Sequence, residues 1–260
     1  MDLKNKIILV TGGAGHLGSE ISRKILKLNA FVIIASRSHL KFKKFHKTLS
    51  TAHKNRLFFI KTNLLNEKDV ILLSKKIKKK FNYINGIVNN ACFEKNLPLK
   101  RINKSVFLNS SLINLYAPFL IIRELEELLI KGAKKFKITS SIVNISSMYG
   151  MVSPNKKIYK KSKFVNPMQY GTNKAGLIQM TKYLACNLET NLIRINSISP
   201  GAFPNKTNTL KKDHILKFKI PLMRFGAPEE ISGPVAFLLS NESSYIHGSN
   251  IVVDGGWTAW

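Results

Sequence analysis

Residues 6–18 read K-I-I-L-V-T-G-G-A-G-H-L-G. A short apolar, β-rich run passes at once into a glycine-rich turn, after which Leu17, Ile21, Ile25 and Leu28 recur at helical spacing. Strand, glycine turn and helix in that order predict a βα unit of a parallel sheet. The glycines allow a tight turn and close approach of a ligand, and the helix N-terminus offers unpaired N–H groups to an anion. The stretch reads as a cradle for the pyrophosphate of a dinucleotide, with Thr11, Gly12, Gly15, His16, Leu17 and Gly18 as its contacts. A plain tight turn is the bland alternative, and the flanking strand and helix speak against it.

Further strands are expected at 31–35, 57–61, 86–91, 138–146, 193–198 and 250–253. Helical patterns fall between them at 41–53, 66–80, 103–130 (broken at Pro118), after Asn166 and at 228–239. Strands alternating with helices predict one α/β domain over 1–260, a doubly wound parallel sheet of seven strands. The second strand ends in S-R-S. An acidic residue there bonds adenosine ribose hydroxyls, whereas a basic one accommodates a 2′-phosphate. Ser36 and Arg37 therefore favour NADP(H) over NAD(H), the alternative being that Arg37 is one more solvated cation. After the third strand, Asn63 is placed to bond the adenine edge and Leu64 to cover its face. Asn90 and Ala91 close the fourth strand, where amides can lock strand ends together and border the cofactor.

Residues 144–176 carry the candidate chemistry. Ser147 stands at a strand end, where sites lie in such sheets. Asn166 is expected as an N-cap and Pro167 as the first helical residue. Tyr170 then lies in the first turns of a helix and Lys174 one turn on. A phenol titrates near ~10 in water, and a neighbouring cation favours its phenolate, so the tyrosine can exchange a proton with a substrate oxygen. Asn114 lies in an apolar helical stretch; it is either a satisfied core amide or support for a water behind the lysine.

Charge adds little. The net charge is +28, but the lysines are spread through every segment and accompany a bias to Asn and Ile. No basic run is interleaved with stacking aromatics, so nucleic-acid binding is not expected. Cys92 and Cys186 form no C-x-x-C or Cys/His cluster, which argues against a disulfide framework or a bound metal and fits a reducing cytoplasm. The apolar run at 7–10 is too short for a signal segment or a membrane span.

T-G-G-A-G-H-L-G, N-N-A, Asn114, S-S-M-Y-G, Y-G-T-N-K, N-S-I-S-P-G, R-F-G-A-P-E-E-I and Y-I-H-G-S-N-I-V-V-D-G-G-W together resemble the classical short-chain dehydrogenase/reductases over nearly the whole chain. The resemblance implies a single-domain Rossmann fold, with a cofactor half over about 1–145 and a catalytic and substrate half over 146–260. It implies a tetrad of Asn114, Ser147, Tyr170 and Lys174, hydride transfer between a nicotinamide and a carbonyl or secondary alcohol, and a homodimer or homotetramer. Pro200 and Gly201 would pass beneath the nicotinamide. Three positions depart from the family pattern: His16 replaces a glycine, Asn63 replaces an aspartate, and a basic insertion over 154–167 separates Ser147 from Tyr170. The lid, about 202–220, carries Phe203, Pro204 and Asn205 in place of small aliphatic and threonine contacts, with Thr207 as a substitute. The insertion and its flanks are similar to oxidoreductases of flagellin modification and surface-polysaccharide sugar synthesis, which implies a phosphorylated or nucleotide-linked sugar as substrate. The alternatives are a sugar epimerase or dehydratase with a retained cofactor, and a non-enzymatic cofactor sensor.

Overall fold

The computed structural model describes residues 1–155, 166–189, 191–205 and 214–260. Seven strands form one parallel sheet: β1 (Ile7–Thr11), β2 (Phe31–Ser36), β3 (Leu57–Lys61), β4 (Gly86–Asn89), β5 (Ser140–Ile145), β6 (Ile193–Pro200) and β7 (Asn250–Val253). Their order is β3-β2-β1-β4-β5-β6-β7. The chain winds outward from β1 in one direction and from β4 in the other. The crevice between the carboxyl ends of β1 and β4 is the switch point at which such sheets bind ligands.

Side chains alternate across the strands, and each face buries its own core. Leu9, Ile33, Ile87, Ile142 and Ile195 face α4 (Glu67–Lys80), α6 (Ala117–Phe136) and α7 (Met168–Asn187). Ile8, Val10, Ile34, Val88 and Val143 face α1 (His16–Lys27) and α9 (Ser232–Leu239). This two-sided burial is why the strands read as continuous apolar runs.

Helix boundaries depart from the sequence reading in informative places. The 41–53 pattern is two helices, α2 (His39–Lys47) and α3 (Thr51–Lys54), because Ser50 caps a new start by accepting from the His53 N–H. Asn166 is not the cap of α7; Pro167 holds that position and supplies no side-chain cap. The long helical stretch is α5 (Lys104–Ser111) running through a π-turn (Leu112–Tyr116) into α6. Pro118 does not break it. With no N–H for the Asn114 carbonyl four residues back, the ladder slips by one, and Ala117 N–H reaches Leu112 O instead. This stretch, Lys104–Phe136, is long and apolar enough to cross a membrane, but half of it is buried and α6 packs against α4 and β5; it is a core helix.

At the amino ends of the strands, away from the crevice, Lys6 and Arg194 are both buried and cap the end of α9. Lys6 Nζ donates to Leu239 O at 3.4 Å and Arg194 to Leu238 O at 3.1 Å. Burial and the neighbouring guanidinium push the Lys6 ammonium down from 10.5 to about 8. The folded state therefore sheds this proton before the unfolded chain does, and stability gains between about pH 8 and 10.5. Urea unfolding should show wild type gaining about 1–3 kcal/mol on Lys6→Met over that window. A pH-independent difference would remove the argument.

Candidate active site

The glycine turn follows β1 without a break. Gly12 holds φ +64, a conformation that suits glycine alone, and its N–H donates to Ala35 O at 2.8 Å. Gly15 is the N-cap of α1 and has no side chain to cap it, so the first-turn amides face the crevice without a side-chain partner. That cradle fits a pyrophosphate. Gly12, Gly15, His16 and Leu17 line the cavity there. Thr11 and Gly18 lie behind it. The Thr11 hydroxyl accepts from the N–H groups of Asn90 and Ala91, both at 3.0 Å, and Asn90 Nδ2 donates back to Thr11 O at 2.9 Å. The ends of β1 and β4 are locked by these bonds. One ladder step back, Asn89 donates to Asn144 Oδ1 at 2.8 Å and ties β4 to β5.

The cavity, about 980 Å³, runs along the carboxyl ends of the strands from Arg37 to Trp257. At the adenosine end it is lined by Ser36, Arg37, Thr62, Leu64 and also Lys41, which the sequence reading missed. Arg37 follows β2 directly and Lys41 lies in the first turn of α2, so a second cation close behind the strand end was the signal available. Asn63 does not line the cavity. Its Oδ1 accepts from Leu65 N–H at 3.3 Å, so the side chain is folded back on its own turn. Asn90, Ala91, Pro200, Gly201 and Phe203 line the middle. His16 Nε2 donates across the cavity to Phe203 O at 2.8 Å, so two departures from the family pattern are partners.

At the far end stand Ser147, Tyr170 and Lys174. Ser147 follows β5, and Tyr170 lies in the first turn of α7. The two segments meet closely: a Cβ on Gly150 would stand 2.8 Å from the Lys174 carbonyl carbon, and Ser146 Oγ donates to Lys174 O at 2.8 Å. Ser147 and Tyr170 line the same end of the cavity, with the serine hydroxyl on the phenol side. Lys174 Nζ donates to Ile145 O at 2.7 Å and lies 5.7 Å from the Tyr170 ring centroid. Burial sets both titrations. It pushes the Tyr170 phenol up, with the Cys92 thiol adding to that and the Ser147 hydroxyl opposing it. It pushes the Lys174 ammonium down, opposed by Cys92 and Glu94. The expected pull of Lys174 on the phenol does not set its direction here.

Asn114 does not reach the cavity. It lies in the π-turn, accepts from Phe93 N–H at 3.0 Å and donates to Phe93 O at 2.8 Å and to Ser110 Oγ at 3.0 Å. Its structural work is to hold the loop after β4. That loop brings Cys92, Glu94 and Asn96 to the cavity wall, none of which the sequence reading singled out. Met148, Tyr149, Leu216, Phe225 and Trp257 also line the cavity and form an apolar cluster with Tyr170. The lysines of the insertion at 156, 157, 160, 161 and 163, and Thr207 of the lid, lie outside the described residues. No cluster of metal-ligating side chains occurs among the described residues.

The comparisons agree with this geometry. A family model described as enoyl-(acyl carrier protein) reductase matches residues 13–258. The 3-oxoacyl-[acyl-carrier-protein] reductase FabG of Rickettsia typhi is 33% identical over 262 residues, covering 98% of each chain. Among solved structures, the Pseudomonas aeruginosa RhlG/NADP complex superposes with TM-score 0.88 at 26% identity, covering 98% of this chain and 97% of the other. A Leptospira borgpetersenii short-chain dehydrogenase with bound NAD+ gives 0.84 at 29%, covering 99% and 94%. The chain belongs to the classical short-chain dehydrogenase/reductases and is an NAD(P)-dependent oxidoreductase of that family.

Proposed function

We propose that the chain interconverts a carbonyl and a secondary alcohol with NADP(H) as preferred cofactor. The observation that carries the reaction is the convergence of Ser147, Tyr170 and Lys174 on the wall of one cavity that also holds the glycine turn. The nicotinamide cofactor, when bound, supplies or accepts the hydride. Gly12, Gly15 and the first amides of α1 hold its phosphates. Ser147 orients the substrate oxygen, and Tyr170 donates a proton to it in reduction and takes it back in oxidation. Lys174 fixes the wall behind the tyrosine through Ile145 O. Asn114 supports the site from behind, through the Phe93 loop. The apolar cluster of Met148, Phe225 and Trp257 keeps water from the reacting carbon.

Arg37 and Lys41 support the cofactor choice, since both line the cavity beside Ser36, at the end of β2, and its one carboxylate among the described lining residues, Glu94, comes from the loop after β4. Arg37→Ala should weaken NADP+ about 10- to 100-fold while NAD+ changes little, read by fluorescence titration, the range expected for a lost charge-assisted hydrogen bond. Equal losses for both would argue for a merely solvated Arg37.

We extend the proposal to a phosphorylated or nucleotide-linked sugar of surface-glycan synthesis. It rests on the insertion at 154–167 and its likeness to the flagellin-modification and polysaccharide oxidoreductases. A homodimer or homotetramer and a cytoplasmic setting, on the two free thiols of Cys92 and Cys186, belong to the same proposal. The test is NADPH oxidation over a panel of ketones, phosphosugars and nucleotide sugars, with mass spectrometry of the products. A two-mass-unit gain on one class identifies the substrate, and no turnover on any class overturns the reading.

A further inference from the structure

The cavity wall formed by the loop after β4 has a chemistry of its own. Glu94 is the one carboxylate among the described lining residues, in a chain with 14 acidic residues against 42 basic ones. Its place is built. Phe93, just before it, is held at both backbone groups by Asn114. The Lys95 carbonyl, just after it, accepts from Gln169 Nε2 at 3.4 Å, and Gln169 is the buried neighbour of Tyr170. Ser110 joins the two supports, accepting from Asn114 Nδ2 at 3.0 Å and from Asn173 Nδ2 at 3.1 Å. The Asn173 amide in turn donates to Gln169 O at 2.6 Å. One hydrogen-bond network thus fixes Glu94 relative to the catalytic helix. Burial pushes the Glu94 carboxyl up, opposed by the Asn96 side chain and the Lys174 ammonium. Asn96 and Asn166 line the same cavity.

We propose that Glu94 is the specificity-determining carboxylate of this cavity: it grips hydroxyl or ammonium groups beside the reacting carbonyl and turns carboxylates and phosphates away from that position. This rests on the oxidoreductase reading above and deepens it. An ionised carboxylate is acceptor-only and offers two oxygens to neighbouring hydroxyls, and hydrogen bonds to it are about twice as strong as neutral ones. An anion in the same place meets like charge. Trp257 and Phe225, which line the same cavity and pack with Tyr170, present apolar surface to the C–H face of the same molecule. One polar wall and one apolar wall suit a polyol or amino-polyol at the reacting end. Any phosphate of such a substrate must then point away from Glu94, toward the cavity mouth.

The test uses three ketones of similar size, reduced by wild type and by Glu94→Gln with NADPH: 4-hydroxybutan-2-one, a donor; ethyl acetoacetate, neutral; and acetoacetate, an anion. The readout is the ratio of kcat/KM for the hydroxyketone over acetoacetate, which does not depend on the fraction of enzyme correctly folded. Wild type should favour the hydroxyketone, and the ratio should fall by at least about tenfold in Glu94→Gln, the loss expected for one charged hydrogen bond. Glu94→Ala should move it the same way, and Glu94→Asp should keep the wild-type preference. Turnover of the ester by wild type with an unchanged ratio in Glu94→Gln overturns the role of Glu94 alone. No wild-type turnover of any of the three overturns the oxidoreductase reading and this inference with it.

Discussion

Tyr170→Phe should lower turnover by about 10²- to 10⁴-fold and leave NADPH affinity nearly intact. The substitution removes one oxygen atom. The ring stays against Met148, Tyr149 and Trp257, so the apolar cluster survives. What is lost is the proton that reaches the substrate oxygen. Ser147 is too weak an acid to replace the phenol. Single-turnover kinetics with a substrate found by the panel, alongside NADPH fluorescence titration, separates the two effects. Normal turnover in the variant would remove Tyr170 from the mechanism; a parallel loss of cofactor binding would make its role structural.

Gly18→Ala should act through the backbone and at the other end of the cavity. The added Cβ would collide with the Gly12 carbonyl oxygen and stand 2.7 Å from Asn90 Nδ2 and 2.9 Å from Gly13 Cα. None of these is the free end of a flexible chain. The turn must open, and with it the bonds of Asn90 Nδ2 to Thr11 O and Gly12 O, at 2.9 and 3.3 Å. The cost is about 1–3 kcal/mol of stability, and NADPH affinity should fall by about tenfold or more because the phosphate cradle is the part displaced. Urea unfolding without cofactor and titration with it give the two numbers. A variant that binds NADPH as wild type does would show that the turn is not the phosphate site.

These predictions differ in how much of them was legible in the sequence. The glycine turn was, because tight turns and uncapped helix starts leave a local signature in residue type. So was the sheet: apolar runs between helical patterns admit one winding, and the seven strands lie where those runs stand. The tyrosine and lysine, one helical turn apart, were readable for the same reason. The errors at helix ends are local too. Pro118 was read as a break, whereas the chain absorbs it in a π-turn, and α7 starts one residue later than Asn166 implied.

Other parts of the site have no local signature. His16 and Phe203 each stood out as an odd residue in a familiar pattern, but nothing in the sequence says that one donates to the other across 187 positions. Asn63 looked like an adenine contact until its own turn claimed the side chain. Glu94 was passed over as one charge in a polar loop. Its meaning depends on Asn114 and Gln169, which hold the backbone on either side of it and come from two different helices. The sequence alone thus determined the fold and put forward the glycine turn, the serine, the tyrosine and the lysine as candidates, since each rests on neighbours within a turn or two. Only the tertiary structure decided which side chains face one another across the cavity, because α7 and the loop after β4 meet only when the sheet has assembled between them.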